Sequence, residues 1–314
     1  MDIPETPLHT GALLPAQLMR NVANWDQDAL TPGWLESLPA VVAELCAKWR
    51  IELDQVIPET YVTLALLGQS AELGPVVIKS SPLAGEFRAE ATALRLAASE
   101  NVARLYDVDF ERSVMVIERI VPGTQLLNVA MTDEDATQLA AETVATLWRP
   151  VQDPEGLHLL RQWMRALFEW PPDSLRIDPM LIRHAQELGE SLLAQSSRQC
   201  LLHGDFQHHN LLRRASGAWA IIDPKGLYGD PGYEIAAWMF NPPGVTSRAD
   251  YRAIVERRVA ICSDIWDIEQ QELLAWAFVG MVLSLCWSSS SDAAPEAWVH
   301  ASAIAAEQIR ALLR

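Results

Sequence analysis

The chain has 314 residues, half of them hydrophobic and a fifth charged, the balance of a protein that buries a core. Its 41 acidic and 24 basic side chains leave a formal net charge of −17, which argues against nucleic acid and membrane surfaces as partners and favours a cationic one. The length suits about two lobes.

MDIPETPLHTGALLP lacks a basic segment ahead of an apolar core, so no signal peptide is expected. Residues 1–50 read as a Pro-punctuated, helical N-terminal extension, with Thr31 as N-cap and Pro32 at the first position of the helix in TPGWLESLPAVVAELCAKW. From residue 51 to 122 the texture is that of a small antiparallel-sheet lobe. VIPETYVTLALLGQ and PVVIKSS are short β-branched runs, EFRAEATALRLAASE is a helix, and RLYDVDFERSVMVIERI reads as two strands turning near Glu111 and Arg112. Val121-Pro122-Gly123 marks the lobe boundary. Residues 123–314 are mostly helical. The first helix is TDEDATQLAAETVATLW, opened by Thr132 and acids. Further helices are predicted over 157–169, 179–197, 250–265, 268–287 and 295–313. The apolar run from Leu273 to Trp287 is too short to span a bilayer and reads as a buried helix. Cys46, Cys200, Cys262 and Cys286 form no C-x-x-C pair, which fits free thiols in a reducing cytoplasm.

One β-like island, CLLHGDFQHHNLLRRASGAWAIIDPKG over 200–226, interrupts the helices. It holds His203-Gly204-Asp205, then Asn210, then Asp223. Phosphoryl transfer asks a protein for a positioned nucleophile and for cations on the phosphates, with little covalent help. The Asp205 carboxylate can accept the proton of a hydroxyl. Asn210 and Asp223 offer the hard oxygen ligands that Mg²⁺ prefers. The spacing from Asp205 to Asn210 is that of the kinase loop H-R-D-x-x-x-x-N, with Gly204 in place of the Arg. His203 is expected to orient the loop, and Asp230 and Glu234 to brace it. His208 and His209 have no Cys or Glu at a spacing that completes a zinc set. Trp238 lies close enough to the motif to line a pocket.

The run from Leu201 to Pro242 resembles the aminoglycoside phosphotransferase superfamily, and most closely its streptomycin 6-phosphotransferase/hydroxyurea-resistance kinase branch, where IDPxGxxG follows the HGD loop. The resemblance implies an α+β, bilobal, protein-kinase-like fold with a small antiparallel-sheet N-lobe and a larger helical C-lobe. It implies a cytoplasmic enzyme that moves the γ-phosphate of ATP or GTP to a small-molecule hydroxyl with Mg²⁺ as cofactor. Asp205 then resembles the catalytic aspartate, and Asn210 and Asp223 the metal ligands.

In the small lobe, Lys79 ends PVVIK as the kinase lysine ends V-A-I-K. Its expected partner is Glu90, with Glu86 one helical turn earlier as runner-up. Glu118 and Ile120 resemble the linker that receives adenine through backbone groups. The phosphate loop, Pro58 to Val62, has no glycine, so backbone N–H groups or the Thr60 hydroxyl are expected to serve, with Glu59 a poor neighbour for phosphate. The resemblance implies a streptomycin-like acceptor first, and the acidic balance agrees with a cationic, hydroxylated molecule. The alternatives are another small metabolite, hydroxyurea, or a non-catalytic nucleotide-binding protein of the same fold. No A-P-E segment follows Asp223, which argues against a protein kinase.

Overall fold

In the computed structural model, residues 14–58, 61–97, 99–171, 174, 176–289 and 296–314 are described. They form two compact units. The first comprises the described residues up to Gly123 together with Arg213–Ala220, and the second the remainder.

The first unit begins with α1 (Ala16–Ala23) and α2 (Trp34–Trp49). Five antiparallel strands follow: β1 (Ile51–Val56), β2 (Leu64–Ser70), β3 (Gly74–Ser80), and, after α3 (Ala84–Ala97), β4 (Leu105–Asp109) and β5 (Val114–Glu118), in the spatial order β1-β2-β3-β5-β4. The segment expected as an extension shares a core with the sheet. Leu18, Val22, Trp34, Leu38 and Val42 from the helices cluster with Leu66, Val76, Ile78, Val114 and Val116 from the strands. The Trp34 indole donates to Ser80 Oγ at 2.9 Å, satisfying a polar group inside that core.

The start of α2 differs from expectation. Gly33, at φ +69°, is its N-cap, and Pro32 lies outside the helix. The Thr31 hydroxyl instead donates to Pro82 O at 2.9 Å, tying the entry to the chain after β3. The β4–β5 turn falls where expected: Asp109 Oδ1 accepts from the amides of Glu111 and Arg112, each at 3.0 Å. Residues 213–220 group with this unit through Arg214, which ion-pairs with Glu118, and through Ala215 N donating to Val121 O at 2.8 Å.

The second unit follows a short strand, β6 (Pro122–Gln125). α4 (Asp133–Ala145) is capped by the Thr132 hydroxyl, which accepts from Asp135 N. The helix expected over 157–169 is instead β7 (His158–Leu159) and two single turns, α5 (Leu160–Trp163) and α6 (Arg165–Phe168). α7 (Pro179–Gln195) leads to β8 (Cys200–Leu202), β9 (Leu211–Arg214), β10 (Trp219–Ile221) and β11 (Leu227–Gly229). β11 pairs in parallel with β7 and antiparallel with β8, so the small sheet runs β7-β11-β8. α8 (Ile235–Met239), α9 (Tyr251–Trp266), α10 (Gln270–Ser289) and α11 (Glu296–Arg310) complete the unit. α10 is apolar on every side and buried from Leu273 to Cys286 against α7, α8 and α11. Such a helix is long and apolar enough to cross a membrane, but its burial within the unit is that of a core helix.

Candidate active site

Side chains alternate along β3. Val76, Ile78 and Ser80 are buried, which turns Lys79 to the other face of the sheet. There Lys79 Nζ lies 2.6 Å from Glu90 Oε1 of α3, with both side chains largely buried at 14% and 13% exposure. Glu86, the alternative partner, is exposed. The Glu118 amide donates to Arg104 O at 2.8 Å, and its carboxylate is held by Arg214. Ile120 is buried, and Gly123, at φ +72°, sits so close that a Cβ there would fall 2.6 Å from Ile120 O. Thr60 and Glu59 lie outside the described residues.

In the second unit, β8 delivers the catalytic-type loop. His203 is fully buried, accepts Asp205 N–H at Nδ1 (3.2 Å) and meets Ile222 O through Nε2 (2.9 Å). These contacts fix one neutral tautomer, with the proton on Nε2. Burial lowers the His203 pKa further from its ordinary value. Gly204 has φ +81°, and a Cβ there would meet Leu227 Cγ at 2.5 Å. That explains why the Arg of the protein-kinase loop has no counterpart here. Lys225 N donates to His203 O at 2.7 Å and Ile222 N to Asn210 O at 3.0 Å, stitching the loop to the Asp223 segment.

Asp205 is half-buried, and Asn210 Nδ2 donates to its backbone carbonyl at 2.9 Å. That bond engages the donor end of the Asn210 amide, so its oxygen is the end that could bind a cation. Asp223 occupies the left-handed region at φ +56°, a conformation Asp tolerates better than most residues. An amide oxygen and a carboxylate are hard donors, the chemistry that a magnesium ion takes.

Two features go beyond the sequence reading. Gln207 Nε2 lies 3.1 Å from each oxygen of Asp205, a forked contact that orients the carboxylate. Its only sequence signal was its place two residues after the aspartate. Glu234 is buried and receives the amides of His203 and Gly204 (Gly204 N at 3.3 Å). Burial pushes its carboxyl up to about 7 despite those bonds, so it is not a full negative charge at neutral pH. Asp230 caps the next turn by accepting Gly232 N at 2.8 Å. Both acids brace backbone.

His208 and Trp238 pack rather than line a pocket. Their rings stack at 3.9 Å between centroids with planes 8° apart, and Trp238 is buried. Burial, reinforced by the Arg258 cation, pushes His208 down to about 3, which makes it a poor proton acceptor. Arg258, fully buried in α9, pairs with Asp133 of α4 and donates to Trp238 O and to Asn241 O (2.7 Å).

Residues 48–292 match the family described as aminoglycoside/hydroxyurea antibiotic resistance kinase. The chain is 26% identical over 265 residues to the streptomycin 6-kinase of Streptomyces griseus, covering 81% of this chain and 84% of that one. It is 25% identical over 261 residues to the hydroxyurea phosphotransferase of Kitasatospora aureofaciens, covering 81% and 74%. Among solved structures it is similar to a thermostable mutant of an aminoglycoside phosphotransferase in ternary complex with ADP and hygromycin B. That match has a TM-score of 0.59 at 16% identity, over 87% of this chain and 97% of that one. The likeness shows a protein-kinase-like α+β fold.

Proposed function

Because the chain belongs to the aminoglycoside/hydroxyurea antibiotic resistance kinase family, we propose that it phosphorylates a hydroxyl of a cationic, streptomycin-type acceptor, with Asp205 as proton acceptor. The kinase activity itself, ATP-dependent transfer to a hydroxyl, follows from the family and its relatives. The observation that carries the assignment of Asp205 is its carboxylate, half-buried and aligned by Gln207 at the head of a loop locked by His203 and Glu234.

The acceptor oxygen forms a bond to Pγ, the bond from Pγ to the β-bridging oxygen breaks, ADP leaves, and the hydroxyl proton passes to Asp205. Lys79, held by Glu90, would bind the nucleotide phosphates. Asn210 and Asp223 would hold magnesium, which supplies positive charge to phosphate oxygens. Gly204 and His203 keep the loop from moving away from the reacting atoms. ATP is abundant in the cytoplasm, and we place the enzyme there. The hydroxyurea relative supports a second reading, in which the acceptor is small and neutral.

Turnover against streptomycin, other aminoglycosides and hydroxyurea, with the phosphorylated position mapped by mass spectrometry and NMR, separates the readings. Asp205→Asn keeps the shape and removes the base, so turnover should fall on the order of 10²–10⁴-fold while nucleotide binding stays near wild type. A folded Asp205→Asn enzyme within a few-fold of wild type removes Asp205 from the mechanism.

A further inference from the structure

A cluster of aromatic rings in the second unit has no part in the chemistry above. Trp163 of α5 packs edge-on against Trp287 of α10, with centroids 5.2 Å apart and planes at 74°. His158 of β7 also packs against Trp163, with centroids 5.7 Å apart and planes at 38°. Core tryptophans of this protein, such as Trp238 and Trp276, are sealed from solvent, whereas Trp287 is 39% exposed. An exposed indole beside a half-buried one is an open aromatic corner.

The fold ties that corner to the catalytic loop in two ways. Through the small sheet, Leu227 of β11 pairs with His158 on one side and with Leu202, the residue before His203, on the other. Through side chains, Trp163 Nε1 donates to Tyr233 OH at 3.0 Å, and the next residue, Glu234, receives the amides of His203 and Gly204. The Tyr233 phenol is held protonated by burial and, further, by the charge of the nearby Asp205 carboxylate. The closest cationic side chain on α5, Arg161, is engaged elsewhere, with both guanidinium nitrogens on Glu190 (2.8 and 2.6 Å). The corner therefore presents indole rings near a carboxylate, with the α5 cation paired, while Arg176 donates to Ser289 O on the buried side of α10. Such a surface attracts a guanidinium or ammonium group.

We infer that Trp287 and Trp163 form the acceptor's docking corner, receiving a cationic group of the acceptor while its hydroxyl is presented to Asp205. The inference rests on the kinase reading and adds the element that selects the acceptor. A small neutral acceptor gains nothing from this corner.

The test compares streptomycin, which carries guanidinium groups, with hydroxyurea, which is neutral. Trp287→Ala should raise KM for streptomycin roughly 3- to 30-fold, the worth of a cation–π contact, and shift KM for hydroxyurea far less. Trp287→Phe keeps a ring and should recover part of the loss. Binding is read separately by ¹⁹F NMR of 5-fluorotryptophan-labelled protein, with the Trp287 and Trp163 resonances assigned from their Phe variants. Streptomycin should shift both signals, and hydroxyurea neither. Wild-type turnover with an unchanged streptomycin KM in Trp287→Ala overturns the corner and leaves the kinase standing. If no acceptor in the panel is phosphorylated, the acceptor reading fails, and the ¹⁹F titration still decides whether the corner binds the cation. Turnover of neutral acceptors alone, with silent ¹⁹F signals, overturns both.

Discussion

Gln207 sets the orientation of the group that must meet a hydroxyl proton. A carboxylate can rotate about its last bond, and a donor 3.1 Å from both oxygens holds its plane without withdrawing it from the reaction. Gln207→Ala should lower kcat about tenfold, as expected for one hydrogen bond to a charged group, while nucleotide Kd stays unchanged. A parallel loss of nucleotide affinity, measured by calorimetry, would instead make Gln207 a support for the loop. The sequence pointed to Asp205, Asn210 and Asp223 because their types and spacing state the chemistry directly. Gln207 was not legible, because a Gln in a loop has no chemistry until its rotamer is known. Glu234 was half legible: its place as a brace could be read, but its charge state depends on burial. Its carboxyl moves from an ordinary value of 4.5 to about 7 in the folded protein. The folded state therefore holds the proton more tightly than the unfolded chain. The stability this confers is full below pH 4.5 and is lost as pH rises through 7, by on the order of 3 kcal/mol. His203 and His208 act in the opposite sense below pH 6.5, since both are lowered on folding. The difference between Glu234→Gln and wild type isolates the effect. The Tm of the variant should gain on wild type from pH 5 to pH 8, and a flat difference would show that Glu234 stays ionised throughout.

Among the elements, α4 and α9 are fastened by one buried cation. Arg258 is fully enclosed and serves Asp133, Trp238 O and Asn241 O, so α9, the first turn of α4 and the end of α8 share a single guanidinium. Trp238 lies under it at 5.5 Å and stacks on His208, which places the catalytic loop on the same support. Arg258→Ala leaves two carbonyls and a carboxylate without their donor, and should cost about 3–5 kcal/mol in urea unfolding. Asp133 is 26% exposed, so water can take over part of its role, and Asp133→Asn should cost clearly less than Arg258→Ala. Equal losses would mean that the ion pair, and not the carbonyl contacts, carries the fastening. This arrangement was not legible in YRAIVERRVAICSDIW, where three arginines look alike until packing chooses one. The helices themselves were legible wherever local signals were complete: Thr132 followed by acids for α4, and an unbroken apolar run for α10. The reading failed over 157–169, because β7 exists only through its partner β11, which is about 70 residues later in the chain. It failed at the start of α2 for a similar reason, since Thr31 finds its partner at Pro82.

At the scale of the whole molecule, the net charge of −17 is a statement about partners, and its worth depends on where the charges lie. Some surface charges are paired, which leaves that total unchanged. Arg112 bridges Glu44 and Asp109, Arg50 meets Glu72, and Arg161 meets Glu190. Near the catalytic loop, burial raises the Glu234 carboxyl and weakens its charge, and Asp230 turns its carboxylate to a backbone amide. The negative field that an acceptor meets therefore rests on Asp205 and the aromatic corner more than on the total of acidic residues. The Debye length at physiological salt is about 8 Å, so remote surface acids are screened while charges within one contact of the acceptor are not. These two populations predict different salt responses. If the distant surface charge steers a cationic acceptor, kcat/KM should fall steeply from low salt to about 0.15 M and level off beyond it. If the local site dominates, kcat/KM should fall only gently across that range, and KM should still rise by a few-fold toward 1 M. The screening of remote charges favours the second pattern for streptomycin, with no salt response for hydroxyurea. Steady-state kinetics for both acceptors from 0.02 to 1 M salt, run at constant free magnesium, decides it. A steep early fall for streptomycin would return the surface charge to a leading role, and an equal response from hydroxyurea would trace the effect to the nucleotide instead.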